Sequence, residues 1–268
     1  MNDDNYVHGY SQWESERLHD QAGTLAELLH HDTRYAAGRR VLEAGCGVGA
    51  QTIILASHSP EADITSVDIN ASSIADASRL LLEHGVRNVT LLEADIFALP
   101  FEAESLDDIF ICFLLEHLAE PVEALGHLKD VLKPGGTLTV IEGDHGSAFF
   151  HPDSEYARAA IQCLIEVQAS LGGDSLIGRR LFPLLQQAGF KDVTVSPRFV
   201  YADASRPEMV DGFTRKTFNA MVEGARDQAI AAALATPDDF DRGVRDLYRS
   251  AEPGGTFCYT FFKAFATK

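Results

Sequence analysis

The chain has 268 residues, 46% of them hydrophobic, and a mean hydropathy of −0.06, which is typical of a globular protein with a full α/β core. No segment approaches the roughly 20 apolar residues of a membrane span. The net charge of −18 argues against binding to nucleic acid or an anionic membrane. Four scattered cysteines show no metal-ligand spacing, so we predict no metal site. The acidic N-terminus lacks the features of a secretory or transit peptide, and we expect a cytoplasmic protein.

The N-terminal segment, residues 1–37, begins with aromatic residues and continues as an amphipathic helix predicted over 11–31. Apolar side chains recur in this helix at close to 3.6-residue spacing. We expect the segment to form a lid over the binding site, with Tyr6, Tyr10 and Trp13 in the substrate pocket.

Between residues 38 and 143 the sequence alternates between strand and helix patterns. Strands are predicted at 39–44, 63–67, 89–93, 107–113 and 136–142. Helices are predicted at 50–57, 71–85 and 121–132. This alternation predicts a parallel sheet with helices on both faces, and such sheets bind ligands beyond the carboxyl ends of their strands.

A glycine-rich sequence follows the first predicted strand, with the pattern Glu43-x-Gly45-x-Gly47-x-Gly49. Glycines are needed where the backbone turns sharply or where a ligand lies against bare main chain. The free N–H groups of the following helix point at that ligand. The pattern predicts a loop that binds a nucleoside cofactor.

Further landmarks follow the later strands. Asp68 ends the second apolar run, about 20 residues past the glycines, which is the usual distance to a ribose-binding carboxylate. Asp95 closes the third run, and the fourth ends in Leu115-Glu116-His117. The turn Leu132-Lys133-Pro134-Gly135-Gly136 precedes the fifth.

In this order, these landmarks resemble those of class I S-adenosylmethionine-dependent methyltransferases, and most of all the small-molecule branch that includes ubiquinone/menaquinone-biosynthesis enzymes. The resemblance covers residues 38–143. It implies a Rossmann-like, doubly wound, mostly parallel seven-stranded sheet whose last strand is antiparallel. It also implies S-adenosylmethionine as cofactor and release of S-adenosylhomocysteine. The cofactor-binding residues that it implies are Glu43, Gly45, Gly47, Gly49, Asp68, Ile69, Ala94, Asp95 and Ile96.

The resemblance also gives these positions individual roles. Glu43 supports the loop and the amino-acid end of the cofactor, and Asp68 accepts hydrogen bonds from both ribose hydroxyls, since a carboxylate offers two acceptor oxygens. Ile69 packs on the adenine face, Asp95 accepts from the adenine amino group, and Ile96 completes that wall.

The rest of the chain departs from the minimal fold. We expect residues 144–178 to form an insertion, 179–201 a core helix and strand, 202–256 a helical insertion and 257–268 the final strand. Further helices are predicted near 154–171, 179–188, 206–220, 222–235 and 237–250, and a strand at 191–200. Loops of this length usually have a function, and we interpret both insertions as a cap over the pocket. The alternative is a homodimer interface formed by the same apolar faces.

Candidates for catalysis cluster after the fourth and fifth strands. His145, Glu142 and His117 are the candidate catalytic residues, since a general base is needed where the acceptor holds its proton at the working pH. Phe149 and His151 are predicted to line the substrate pocket. The alternative interpretation of this segment is a polar, solvated loop.

Two other functions fit parts of the sequence. Gly45-x-Gly47-x-x-Ala50 also satisfies a relaxed dinucleotide fingerprint, which would indicate an NAD(P)-dependent oxidoreductase. A protein that binds S-adenosylmethionine without methyl transfer would carry the same landmarks. The primary prediction is methyl transfer to a small-molecule acceptor, with the O, N, C or S nucleophile left open.

Overall fold

The structure is a computed structural model that describes the backbone of residues 12–268 and the side chains of residues 21–268. Its centre is a seven-stranded sheet in the order β3-β2-β1-β4-β5-β7-β6. The strands are β1 Arg40–Ala44, β2 Asp63–Asp68, β3 Val89–Glu93, β4 Leu106–Cys112, β5 Leu132–His151, β6 Lys191–Ala202 and β7 Thr256–Thr267. β7 is antiparallel to both neighbours, and β1 to β5 pair in parallel. The predicted fold class is confirmed.

Helices flank the sheet and fill the long connections. They are α1 Gln12–His30, α2 Ala50–His58, α3 Ala71–Glu83, α4 Pro121–Val131, α5 Glu155–Ser170, α6 Leu181–Gln187, α7 Pro207–Met209, α8 Ala220–Gly224, α9 Arg226–Ala231 and α10 Pro237–Tyr248. A π-helical segment, Val210–Asn219, joins α7 to α8. Short 3-10 helices lie at Leu115–His117 and Ile177–Arg180. Of the helices in the described part of the chain, none is long and apolar enough to cross a membrane.

The sheet is buried on both faces because its central strands carry apolar side chains on both sides. Phe110 of β4 packs into a cluster that includes Leu29 of α1. Ile109 and Ile111 of the same strand pack on the other face, in a cluster that includes Leu125 of α4. A continuous apolar run is typical of a strand covered by helices on both faces.

The fifth strand is longer than the sequence predicts. The prediction ends this strand at 142 and begins an insertion at 144, but β5 continues to His151. Phe149 pairs with Cys258, and His151 pairs with Thr256 of β7. The predicted boundary at residue 143 therefore lies inside a strand, because pairing with β7 supplies hydrogen bonds that the local sequence does not indicate.

The two predicted insertions pack against each other. α5 from the first and α10 from the second cross at Gly243, which is buried. A Cβ atom built on Gly243 would clash with the carbonyl oxygen of Tyr156 and lie 2.9 Å from Cβ of Ala160. The two helices can approach this closely because the position lacks a side chain.

We expect Gly243→Ala to lower the free energy of unfolding by about 1–3 kcal/mol, because the added methyl overpacks a rigid backbone contact. Gly126 is the matched control, since it also lies inside a helix and its Cβ would meet nothing within 4 Å. Gly126→Ala should raise stability by about 0.5–1 kcal/mol through helix propensity. Urea unfolding of both variants measures these changes, and a stabilising Gly243→Ala would contradict the close crossing.

Candidate active site

The loop between β1 and α2, here called the glycine loop (residues 45–49), has the backbone that its glycines allow. Gly45, Gly47 and Gly49 have φ values of 75°, 51° and 84°. A Cβ on Gly45 would lie 2.8 Å from Cδ1 of Leu114, whereas a Cβ on Gly47 would meet nothing within 4 Å. Gly45 therefore permits close packing, and Gly47 leaves bare main chain beside open space, as a bound cofactor requires.

Asp68 holds this loop at the end of β2. Its carboxylate accepts hydrogen bonds from the backbone N–H of Gly47 at 2.8 Å and of Asn70 at 2.9 Å. Burial raises the pKa of Asp68 above its usual value. The next residue, Ile69, is 38% exposed, which leaves its side chain available for the predicted contact with adenine.

Glu43 lies below the glycine loop in the interior of the sheet. Ser66 Oγ donates a hydrogen bond to Glu43 Oε2 at 2.5 Å. Burial raises the pKa of Glu43 to about 7, because the charged form loses its hydration. The predicted contact of Glu43 with the amino-acid end of the cofactor remains a prediction.

The third predicted segment lies beside Asp68. The N–H of Ala94 donates to the carbonyl oxygen of Asp68 at 3.0 Å. Asp95 Oδ1 accepts from the N–H of Phe97 at 2.9 Å, which forms a turn after β3. Ile96 is buried. The structure thus brings the predicted cofactor residues to the carboxyl ends of β1, β2 and β3, and their individual binding roles remain predictions.

Glu142 takes a place different from the predicted one. Its Oε1 accepts the N–H groups of Leu114 at 3.1 Å and Leu115 at 2.7 Å. Burial raises the pKa of Glu142 well above its usual value, and the nearby carboxylate of Glu116 adds to this shift. Glu142 stabilises the turn after β4, and it does not line the cavity described next. Its predicted catalytic role therefore finds no support in this placement.

A cavity of about 60 Å³ lies between the carboxyl edge of the sheet and the π-helical segment. We call it the aromatic cavity. Its apolar lining comprises Phe113, Phe213, Phe218, Met221, Tyr259 and Phe261. Its polar lining comprises Gln21, Glu116, His117, His145, Gln168 and Thr217. Two of the predicted catalytic residues, His117 and His145, are in this set.

His145 and Tyr259 form a buried hydrogen-bonded pair in the cavity wall. Nδ1 of His145 lies 2.8 Å from the hydroxyl oxygen of Tyr259. Burial raises the pKa of Tyr259 well above its usual value, so the phenol keeps its proton and can donate it to Nδ1. Gly143 makes room for this hydroxyl, since a Cβ there would clash with it.

Two main-chain hydrogen bonds join the cavity wall to the segment after α5. The N–H of Asp174 donates to the carbonyl oxygen of Glu116 at 2.8 Å, and the N–H of His145 donates to that of Ser175 at 2.9 Å. Arg179 adds a bidentate pair to the buried carboxylate of Asp144, with both distances 2.7 Å. These bonds fix the backbone on both sides of the cavity.

The structure places the other predicted pocket residues elsewhere or does not describe them. Phe149 is 57% exposed and packs on Phe199 with ring centroids 6.1 Å apart. His151 is exposed at the end of β5. Both are carried away from the cavity by the continuation of β5. Tyr6 and Tyr10 lie outside the described residues, as does the side chain of Trp13.

A larger cleft of about 420 Å³ lies near the amino ends of β1 and β4. Most of its charged groups pair with one another. Arg39 Nη2 lies 2.7 Å from Asp108, and Lys263 Nζ lies 2.6 Å from Asp32. The cleft is at the edge of the sheet opposite the glycine loop, so we assign the candidate site to the aromatic cavity.

Sequence reasoning missed several residues of the aromatic cavity. Tyr259 and Gln168 have no motif of their own, and their places depend on strand pairing and helix packing. The backbone of Phe113 has a φ of 58°, a left-handed conformation that the sequence does not indicate. This left-handed backbone turns the chain out of β4 and towards the cavity, at a cost of about 1–3 kcal/mol.

Comparison with known proteins agrees with this geometry. A family model described as a methyltransferase domain matches residues 36–189, more than half of the chain, and the chain therefore belongs to this family. An uncharacterised 37.1 kDa protein of a Streptomyces fradiae transposon is 33% identical over 190 residues, which cover 70% of this chain and 54% of that protein. The demethylmenaquinone methyltransferase of Thermus thermophilus is 36% identical over 106 residues, 40% of this chain and 48% of that one. The chain thus spans about half the length of these relatives.

Solved structures show the same fold. The YcgJ protein of Bacillus matches with a TM-score of 0.58 at 16% identity, covering 93% of this chain and 98% of that one. An N-methyltransferase of Haemonchus contortus in complex with S-adenosylhomocysteine matches with a TM-score of 0.56 at 17% identity, covering 93% and 52%. With the family match, these findings support the predicted cofactor, S-adenosylmethionine, over the nicotinamide alternative.

The pKa of Glu43 predicts a specific pH dependence of stability. Because burial raises this pKa from 4.5 to about 7, the folded protein holds a proton in that window that the unfolded chain has lost. Stability therefore falls as the pH rises through the window. Glu43→Gln cannot ionise, so we expect it to gain about 1–3 kcal/mol relative to the parent between about pH 5 and pH 8.

Urea unfolding at a series of pH values measures this difference. Glu61→Gln is the control, because Glu61 is exposed at the surface and should show the pH dependence of the parent. A difference between Glu43→Gln and the parent that stays constant with pH would contradict the raised pKa.

Proposed function

We propose that the protein transfers a methyl group from S-adenosylmethionine to a small-molecule acceptor bound in the aromatic cavity. The observation that carries the proposal is the contact between the two halves of the site. Gly45 of the glycine loop packs directly on Leu114, and Glu116 and His117 of the cavity follow two and three residues later. Cofactor and acceptor would therefore meet across this contact.

The residues at the glycine loop suit the cofactor. Gly47 exposes main chain, Asp68 can exchange its backbone partners for ribose hydroxyls, and Ile69 presents an exposed apolar side chain. When bound, the cofactor supplies a methyl group attached to a positively charged sulfur. The carbon–sulfur bond breaks as the acceptor bonds to the methyl carbon, and the sulfur keeps the electron pair. Little covalent chemistry is left for the protein.

The chain itself contributes position and the exclusion of water. The described wall of the aromatic cavity combines five aromatic rings and a methionine with its polar side chains, and the backbone bonds at Glu116 and His145 hold its sides. Aligning two reactants in such a site accounts for much of the acceleration in a displacement of this kind. His145 is the proposed proton-handling residue, since its ring lies in this wall and imidazole titrates near neutral pH.

The size and charge of the protein support a small acceptor. A net charge of −18 opposes contact with a phosphate backbone, and the enclosed cavity suits a small group better than a polymer. We further propose that the helices of residues 154–170 and 207–248 form the cap predicted from the sequence.

The cofactor assignment is tested by calorimetric titration with S-adenosylhomocysteine, with NADH in parallel. We expect saturable binding of S-adenosylhomocysteine and none of NADH. Asp68→Ala should weaken binding by about 10- to 100-fold, because charge-assisted hydrogen bonds to the ribose are lost.

Asp63→Ala is the matched control for this titration. Asp63 is an exposed carboxylate at the opposite end of the same strand, β2, and its loss should leave the affinity unchanged. If Asp68→Ala binds S-adenosylhomocysteine as tightly as the parent, the ribose assignment is wrong. Binding of NADH alone would contradict the proposed function.

A further inference from the structure

Gln168, on α5, has a buried acceptor atom that the fold does not use. The side chain lines the aromatic cavity, and the residue is 3% exposed. Within the described residues, no donor reaches its carbonyl oxygen, Oε1. A buried acceptor without a partner destabilises the folded protein, because its lost hydration is not replaced. This position therefore suits a ligand that carries an N–H or O–H group.

The charges around the cavity restrict that ligand further. Among the described lining residues, Glu116 provides a carboxylate, and there is no lysine or arginine. Nε2 of His117 lies 3.7 Å from Oε1 of Glu116. The main chains of Glu116 and Gln168 approach each other around Gly173, where a Cβ would lie 2.7 Å from one carbonyl oxygen and 3.3 Å from the other. A phosphate or carboxylate would meet neither a lysine nor an arginine among these described residues.

Aromatic rings complete the environment. The ring centroid of Tyr259 lies 4.8 Å from that of Phe261, and 5.4 Å from those of Phe213 and Phe218. Aromatic rings attract cations through their faces. A carboxylate beside several rings, with no lysine or arginine among the described lining residues, favours a positively charged group over an anionic one.

The charge that develops on the acceptor during methyl transfer also favours an acceptor that becomes positively charged. An alcohol, phenol or enol reacts after losing its proton, so an anion would have to form beside Glu116. An amine nitrogen reacts through its neutral lone pair and becomes positive as the new bond forms. The carboxylate and the rings stabilise this charge in the transition state, which is where stabilisation accelerates a reaction.

We propose that the acceptor is an amine, whose N–H donates to Gln168 Oε1 and whose developing charge is stabilised by Glu116 and the surrounding rings. This inference rests on the proposed function. The amine loses one proton through His145 to solvent, and its lone pair bonds to the methyl carbon as the carbon–sulfur bond of S-adenosylmethionine breaks. The electron pair goes to sulfur, and the products are the N-methylated amine and S-adenosylhomocysteine.

The size of the cavity limits the reactive end of this acceptor. A volume of about 60 Å³ is smaller than the roughly 150 Å³ of a cavity that holds benzene. The cavity therefore accepts an amino group with a few carbon atoms. Probes for the test should be of this size.

Three probes with one carbon skeleton separate the classes: ethylamine, ethanol and acetate. Each is titrated into protein saturated with S-adenosylhomocysteine, and binding is followed by NMR chemical shifts. We expect ethylamine to bind at least about tenfold more tightly than ethanol, and acetate to bind more weakly than either. Equal or tighter binding of ethanol or acetate overturns the amine assignment, and so does a lack of ethylamine binding.

Gln168→Leu tests the proposed contact. The variant should lose about tenfold or more in affinity for ethylamine through the missing charge-assisted hydrogen bond. Its affinity for S-adenosylhomocysteine should stay within about twofold, since Gln168 lies outside the glycine loop. Gln162→Leu is the control, on the exposed side of the same helix. An unchanged affinity of Gln168→Leu for ethylamine overturns the role of Gln168.

The same samples separate this inference from the proposed function. Binding of S-adenosylhomocysteine to each variant shows that the cofactor half is folded. If the parent protein binds S-adenosylhomocysteine but not ethylamine, the amine class is wrong and the cofactor assignment stands. If the parent protein does not bind S-adenosylhomocysteine, the proposed function fails first.

Discussion

The interrupted pairing of β5 with β7 is the constraint on which the aromatic cavity depends. The two strands pair regularly up to Asp144 and again from Phe149, and the residues between them bulge out opposite Tyr259. Ser147 bridges the interruption, because its hydroxyl accepts a backbone N–H of β7 at 2.8 Å. The extra length lets the His145 ring meet the Tyr259 hydroxyl. If β5 and β7 paired regularly here, these residues would all lie in the ladder, and the buried hydrogen bond between His145 and Tyr259 would not form.

The cofactor half of the site could be predicted because the local sequence determines its backbone conformation. Three glycines within five positions require left-handed backbone, and Gly45, Gly47 and Gly49 adopt it. Asp68 and Asp95 follow apolar runs, so their positions at strand ends follow from local periodicity. For these residues, neighbours in sequence determine the geometry.

The acceptor half could not be predicted because distant segments determine it. Residues 144–151 contain Asp, His, Gly and Ser, which locally favour a loop, yet they form a strand with a partner more than 100 residues away. Phe149 was therefore expected in the pocket and lies outside it. Glu142 was expected at a strand end but lies inside β5, and its chemistry depends on burial, which periodicity does not measure. Gln168 becomes a site residue only because α5 packs over the sheet edge.

The family match ends at residue 189, whereas most of the aromatic wall, Phe213, Phe218, Tyr259 and Phe261, comes from later in the chain. The glycine loop and most of the rings are thus separated along the sequence. Mutations, or even segment exchange between homologues, can remodel the wall while leaving the glycine loop untouched. The preference for an acceptor can therefore change during evolution while cofactor binding is kept.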